Sequence, residues 1–274
     1  MAACVEYFQK RGIEHARREA EDLIGDVLGM ARVELYMHYD RPLVESELTE
    51  CRERVRRRSQ GEPLAYIHGE VDFFGCRIAV NRHVLIPRQE TGQLVDRILQ
   101  QPKWVTSSGF LWDLCCGSGC VGIALKRHLP HWKVVASDIS SEALAVARKN
   151  AEANDVEIEF RQGDCLQPFQ GEKAHIVVCN PPYLTQAEYA DLPIEVRNYE
   201  PEGALVGGPT GVEFYERLEA GLPEVLHPQA QVWLEIGHGQ GERLIKIFSG
   251  TGWKQQMVHL DWAGRERFFS LEIE

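Results

Sequence analysis

A chain of 274 residues with 44% hydrophobic and 26% charged side chains has room for one large domain, or a domain plus a smaller module, around a sizeable core. No apolar run approaches the roughly 20 residues of a membrane span, and Met1-Ala2-Ala3-Cys4-Val5-Glu6 lacks the basic and apolar regions of a secretory signal, so a cytoplasmic protein is expected. The net charge of −11 falls almost wholly after residue 60: residues 1–60 hold 11 Lys and Arg against 12 Asp and Glu, and the remainder holds 19 against 29, a balance that repels a phosphate backbone.

The first sixty residues read as helices. Ile13, Ala16, Ala20, Leu23, Ile24, Val27 and Leu28 recur at the spacing of one helical face. Ser46 is the expected N-cap of a helix to Ser59, with Gly61 and Pro63 as its stop. The basic run Arg52 to Arg58 lies in that helix and reads as a solvated face rather than a nucleic-acid contact. Phe73 to Val80, followed by Asn81-Arg82 and Val84-Leu85-Ile86-Pro87, has the look of a β-hairpin or extended connector.

From about residue 91 strands and helices alternate. Phe110–Leu114, Lys133–Ser137, Ile158–Arg161, His175–Cys179 and Val232–Ile236 read as strands, with helices at Gly119–His128, Ser141–Ala153 and before about Ser249. Two last strands, near Trp253–Leu260 and Phe268–Ile273, have no helix between them and suggest an antiparallel hairpin. The pattern predicts an α/β fold with a largely parallel, doubly wound sheet. The expected boundaries are a helical module at 1–68, a hairpin connector at 69–90 and a catalytic domain at 91–274.

The first strand of that domain runs into Asp113-Leu114-Cys115-Cys116-Gly117-Ser118-Gly119-Cys120-Val121-Gly122. Gly117, Gly119 and Gly122 spell G-x-G-x-x-G, a turn that lets a ligand approach where a Cβ would collide, and the next helix offers unpaired N–H groups. Asp138 ends the second strand, 21 residues after Gly117, where a carboxylate can accept two ribose hydroxyls. These features point to a nucleoside cofactor and leave S-adenosylmethionine and NAD both open. Cys115, Cys116 and Cys120 cluster here without a fourth ligand nearby in sequence, so reduced buried thiols are expected and no metal.

The fourth strand ends in Asn180-Pro181-Pro182-Tyr183. Two prolines stiffen the backbone and leave carbonyl acceptors without N–H donors; Asn180 adds a side-chain carbonyl and Tyr183 a flat face. Together they suit a planar –NH2 group. An amide nitrogen is a poor nucleophile, and accepting both its hydrogens enriches its lone pair and stabilises the charge that develops on methylation. A socket of this kind beside a cofactor loop predicts methyl transfer to an amide or amine nitrogen.

Over most of its length the chain resembles the glutamine N5-methyltransferases that modify peptide-chain release factors. The resemblance rests on Pro63-Leu64-Ala65-Tyr66-Ile67-His68-Gly69, Phe73-Phe74-Gly75, Leu85-Ile86-Pro87-Arg88-Gln89-Glu90-Thr91, the glycine loop, Asp138-Ile139-Ser140, Asn180–Tyr183, Glu200-Pro201 with Ala204-Leu205, and Leu234-Glu235-Ile236-Gly237. It implies a Rossmann-like, seven-stranded methyltransferase sheet behind a small N-terminal helical domain that helps dock the substrate. It implies S-adenosylmethionine held by Cys115, Cys116, Gly117, Ser118, Gly119, Asp138, Cys165 and Asn180. The acceptor would be the glutamine of a Gly-Gly-Gln loop in class 1 release factors, met by Asn180, Pro181, Pro182 and Tyr183. Cys115 stands where the family usually has a glycine, Gln89 where it has proline, Gly92 where it has glutamate, and Cys165 where an aromatic often meets the adenine. The role of segment 88–92 stays open.

The alternatives are a ribosomal-protein glutamine methyltransferase with the same loop, and an adenine N6-methyltransferase, which the acidic balance disfavours. Outside the class stand an NAD-dependent oxidoreductase, in which the Asn-Pro-Pro-Tyr loop has no role, and an inactive fold used for binding. Neither a membrane nor a direct nucleic-acid partner is expected.

Overall fold

Strands β1 (Glu70–Phe73) and β2 (Cys76–Ala79) form a two-stranded sheet, and seven further strands form the central one: β3 (Phe110–Leu114), β4 (Lys133–Asp138), β5 (Glu159–Gln162), β6 (Ala174–Cys179), β7 (Leu226–Glu235), β8 (Trp253–Leu260) and β9 (Glu266–Ile273). The computed structural model describes residues 1–250 and 252–274. The chain divides into two units, Met1–Glu70 with Pro193–Tyr199, and Val71–Leu192 with Glu200–Glu274. Among the described residues no helix is long and apolar enough to cross a membrane.

The first unit is helical: Ala2–Lys10, Ala16–Leu28, Arg32–Met37, Glu45–Ser59, Leu64–His68 and Ile194–Tyr199. Its core gathers Phe8, Ala16, Ala20 and Leu23; the expected stripe is buried at Ala16, Ala20, Leu23 and Ile24 of the second helix and half-buried at Val27 and Leu28. Ile13 precedes that helix and lies outside the stripe's helical part. The long helix starts at Glu45, one residue before the expected cap Ser46; the exposed Val44 N–H is taken instead by the Glu47 carboxylate at 3.0 Å, a side-chain cap reaching back by one turn. Arg52, Arg54, Arg56, Arg57 and Arg58 each pair with a carboxylate of this unit, and Arg58 bridges Glu19 and Glu195. The basic run is thus paired internally, most deeply at Arg58.

In the second unit the central sheet has the order β5-β4-β3-β6-β7-β9-β8. Strands β5, β4, β3, β6 and β7 pair in parallel, and β9 enters antiparallel between β7 and β8. β3 is buried from Leu111 to Leu114 and β6 from Ile176 to Cys179, as strands covered by helices on both faces must be. Helices Gln89–Leu99, Cys120–His128, Ser141–Ala153, Glu213–Glu219 and Gly241–Ile247 accompany the sheet. Trp112 of β3 stacks on Phe169 at 4.2 Å between ring centroids, inside the main cluster. Strand order reverses between β4 and β6 around β3, the switch point at which open α/β sheets leave a crevice beyond their carboxyl ends. β1 and β2 are joined by Phe74-Gly75, both at positive φ (48° and 75°), as a two-residue hairpin turn requires.

Candidate active site

A cavity of about 320 Å³ opens beyond the carboxyl ends of β3, β4 and β6, within the roughly 300–1,000 Å³ usual for cofactor pockets. Of the residues singled out in the sequence, Cys115, Cys116, Gly117, Ser118, Asp138 and Cys165 line it, and so do Asn180 and Pro182. Gly119, Pro181 and Tyr183 are not among its lining residues.

The loop after β3 is built from its backbone. Cys115 adopts φ 54°, Gly117 φ 53° and Gly119 φ 77°, so a cysteine occupies a left-handed position that glycine would take without strain. Gly117 has open space where a Cβ would stand. Gly119 caps the helix Cys120–His128, and a Cβ there would meet Ala147 at 3.1 Å; its role in this structure is helix packing rather than lining. Asp138 holds the loop: its Oδ2 accepts from Gly117 N at 2.8 Å and its Oδ1 from Ser140 N at 2.9 Å. Burial raises its carboxyl above the ordinary aspartate range, against those backbone hydrogen bonds. From behind, Asn150 Nδ2 donates to the Ser118 carbonyl at 2.9 Å and to the Ala79 carbonyl at 3.0 Å, tying the loop to β2.

Asp113 also lines the cavity, although the sequence marked it only as the strand end. Its Oδ2 accepts from Gly122 N at 2.8 Å, and burial pushes its pKa up to about 7, with the Asp138 charge adding to the rise. Gly122 has to be small, because a Cβ would lie 2.9 Å from that oxygen.

The loop after β6 is clamped on every side. Tyr183 N and Leu184 N donate to the Leu205 carbonyl at 3.1 and 2.9 Å, and Gln240 Nε2 donates to the Tyr183 carbonyl at 3.0 Å. Gly207 and Gly211 press against it so closely that a Cβ would fall 2.3 Å from the Pro182 oxygen and 2.4 Å from the Tyr183 oxygen. Tyr183 is set back toward the main core; its hydroxyl donates to Glu235 Oε1 at 3.4 Å and accepts from Arg267 Nη1 at 3.3 Å. Burial raises the phenol well beyond its usual value. Glu200, buried, accepts from Ile86 N at 3.0 Å and pairs with Arg88, so two segments that carried the resemblance, 85–88 and 200–201, meet in space.

Sequence reasoning missed Gly207, Gly211, Gln240 and the paired roles of Glu200 and Glu235. Only the charge of Glu235 at the end of the apolar Val232-Trp233-Leu234 was a signal, since a carboxylate in such a run needs a partner. All eight cysteines are free thiols, and among the described residues no group of three or more His, Cys, Asp or Glu is placed to hold a metal.

Sheet order, glycine turn and a carboxylate closing the next strand together define a class I methyltransferase fold, and a Pyrococcus furiosus methyltransferase structure aligns over 80% of this chain and 98% of its own with TM-score 0.53 at 15% identity. Residues 1–69 match the PrmC N-terminal domain and residues 91–194 the methyltransferase small domain. The release factor glutamine methyltransferase of Chlamydia trachomatis serovar D is 41% identical over 97% of this chain and 91% of its own, and that of Geobacter sulfurreducens 38% identical over 95% and 91%. The chain belongs to the release factor glutamine methyltransferase family.

Proposed function

We propose that the chain transfers a methyl group from S-adenosylmethionine to the side-chain nitrogen of the glutamine in the Gly-Gly-Gln loop of class 1 release factors. The observation that carries the reading is that one cavity is lined both by the glycine-turned loop with Asp138 and by Asn180 with Pro182.

The residues present fit the cofactor. Gly117 leaves space for close approach, Asp138 supplies an acceptor for ribose hydroxyls, and Asp113 a buried acidic group for an ammonium. Cys115, Cys116, Ser118 and Cys165 complete the cofactor's walls, with Gly119 shaping the turn and Asn180 shared between cofactor and acceptor. When bound, the cofactor supplies an electrophilic methyl on a sulfonium. The protein's own part is orientation. Asn180 accepts one hydrogen of the glutamine –NH2 and the carbonyl of Pro181, behind the cavity's lining residues, is the acceptor in line for the other; Pro182 holds both rigid, and Tyr183, set back toward the core, braces the loop. Alignment of this kind can account for roughly 7–11 kcal/mol of a barrier. The five N-terminal helices, with Pro193–Tyr199, would dock the release factor, the connector at 69–90 joining them to the catalytic part.

The test is incubation with labelled S-adenosylmethionine and purified unmethylated release factor, then mass spectrometry of the Gly-Gly-Gln peptide. A gain of about 14 Da on that glutamine, one CH2, is expected, because a methyl group replaces one amide hydrogen. No gain, from an enzyme that still binds S-adenosylhomocysteine, would move the acceptor to ribosomal proteins.

A further inference from the structure

Thr91 stands in the first turn of the helix Gln89–Leu99, inside the segment 88–92 whose part in the chemistry is otherwise unassigned. It is 2% exposed, and its hydroxyl has one hydrogen to give. That hydrogen goes to Glu235 Oε2 at 2.7 Å, at the end of β7. The lone pairs that remain on Oγ1 face Asn180, whose Nδ2 donates to them at 3.4 Å. The separation lies at the long end of the range, as for contacts that tighten when a site fills.

An asparagine side chain carries its donor and its acceptor on opposite corners, so fixing the NH2 decides where the carbonyl points. We propose that Thr91 and Glu235 are positioning residues that set the Asn180 amide with its carbonyl oxygen, not its NH2, toward the acceptor nitrogen. The inference rests on the glutamine reading above and gives it a mechanism of orientation. A carboxylate can only accept, which forces the Thr91 hydrogen toward Glu235 and the Asn180 hydrogens toward Thr91. A protonated Glu235 can donate to Thr91 instead. The threonine hydrogen then turns to Asn180, the amide flips, and a donor faces the donor –NH2 of the substrate.

The groups around Glu235 are Arg267 of β9, the Tyr183 hydroxyl, Glu90 on the helix of Thr91, Cys120 of the helix Cys120–His128, and Tyr215, whose hydroxyl donates to the Glu235 carbonyl at 2.8 Å. Burial pushes the Glu235 carboxyl up to about 7; Thr91 and Arg267 pull it down, Glu90 adds to the rise and Tyr183 pulls it down. Turnover therefore falls as pH drops through that value, because the protonated form favours the flipped amide.

The experiment compares wild type, Thr91→Val, Thr91→Ser and Glu235→Gln on purified unmethylated release factor, from about pH 5.5 to 9. Thr91→Val should lower kcat on the order of tenfold to 10²-fold, the ordinary cost of misplacing a reacting group, with KM for both substrates within about twofold. Thr91→Ser should recover most of the loss, and Glu235→Gln, which keeps an acceptor but cannot ionise, should lose the acidic limb. In the enzyme alone, the side-chain amide resonances of Asn180 should move between about pH 6 and 8 in wild type and stay fixed in Glu235→Gln. An unchanged kcat in Thr91→Val, or an identical pH limb in Glu235→Gln, overturns the positioning role. A wild type that leaves the release factor unmethylated overturns the substrate reading instead. The amide resonances need no substrate, and their failure to move then sinks the positioning role by itself.

Discussion

The two loops that face the cavity are built on opposite plans. The loop after β3 is turned by residues at positive φ and leaves Gly117 in open space, with Asp138 and Asn150 as its main tethers. The loop after β6 has prolines where the other has glycines, and Gly207 and Gly211 are pressed onto it from outside. One leaves room for a large ligand to lie against its backbone; the other holds a few acceptor atoms where a small group must be met at a fixed angle. Each rests on a buried carboxylate with its pKa raised by burial to about 7, Asp113 beneath the first and Glu235 beneath the second. They differ in partners: Asp113 takes a backbone N–H, Glu235 a hydroxyl that passes the constraint on to Asn180.

If the second loop acts on the acceptor, Asn180→Ala should lose roughly 10²- to 10³-fold in kcat, as for removal of a hydrogen-bonding group aimed at developing charge, and keep most cofactor affinity. Calorimetry with S-adenosylhomocysteine beside steady-state kinetics checks this; equal loss in both would make Asn180 a cofactor ligand first. Asp113→Asn tests the support of the first loop. A carboxyl whose folded value is raised from 3.8 to about 7 lowers stability as pH climbs through that window. The variant should therefore gain on the order of 4 kcal/mol over wild type above pH 7 and nothing below about pH 4. Denaturant unfolding at a series of pH values would reveal the crossing, and parallel curves would refute it.

Smaller effects separate the loops further. Gly207→Ala places a methyl 2.3 Å from the Pro182 oxygen, so about 2 kcal/mol of stability should go, with turnover falling more than cofactor affinity. Gly117→Ala meets no atom within 4 Å and should cost only about 1 kcal/mol of left-handed strain, while weakening cofactor binding. A reversed pattern, with Gly207→Ala hitting the cofactor and Gly117→Ala the acceptor, would dissolve the contrast between the loops.

Elements with strong local periodicity were legible. Phe110–Leu114 and Ser141–Ala153 have the same bounds in sequence and structure, and the last two strands pair as an antiparallel hairpin. β7 begins at Leu226 rather than Val232, because His227-Pro228-Gln229 looks like a turn and Gln229, at φ 62°, sits where the pairing with β6 shifts register. The short helices Gln186–Ala190, Ile194–Tyr199 and Glu213–Glu219 are too brief to show a period. The parts of the site made by one stretch of chain, the glycine turn and Asn180–Tyr183, could be read directly. The contacts of Glu200 with Ile86, or of Gln240 with Tyr183, join residues 114 and 57 apart and become visible only when the sheet brings them together.

The thiols around the glycine loop bear on a hazard peculiar to alkylating cofactors. A thiolate is a far better methyl acceptor than an amide, and Cys116 and Cys165 line the same cavity as Asn180. Burial holds the Cys165 thiol up at about 11 and raises Cys116 well above the ordinary value, so at neutral pH only about one Cys165 in ten thousand is ionised. The apolar setting that lets Cys165 stand where an aromatic ring is usual also keeps its sulfur chemically silent. These two sulfurs in the cavity wall are thus spared from competing with the substrate for the methyl group.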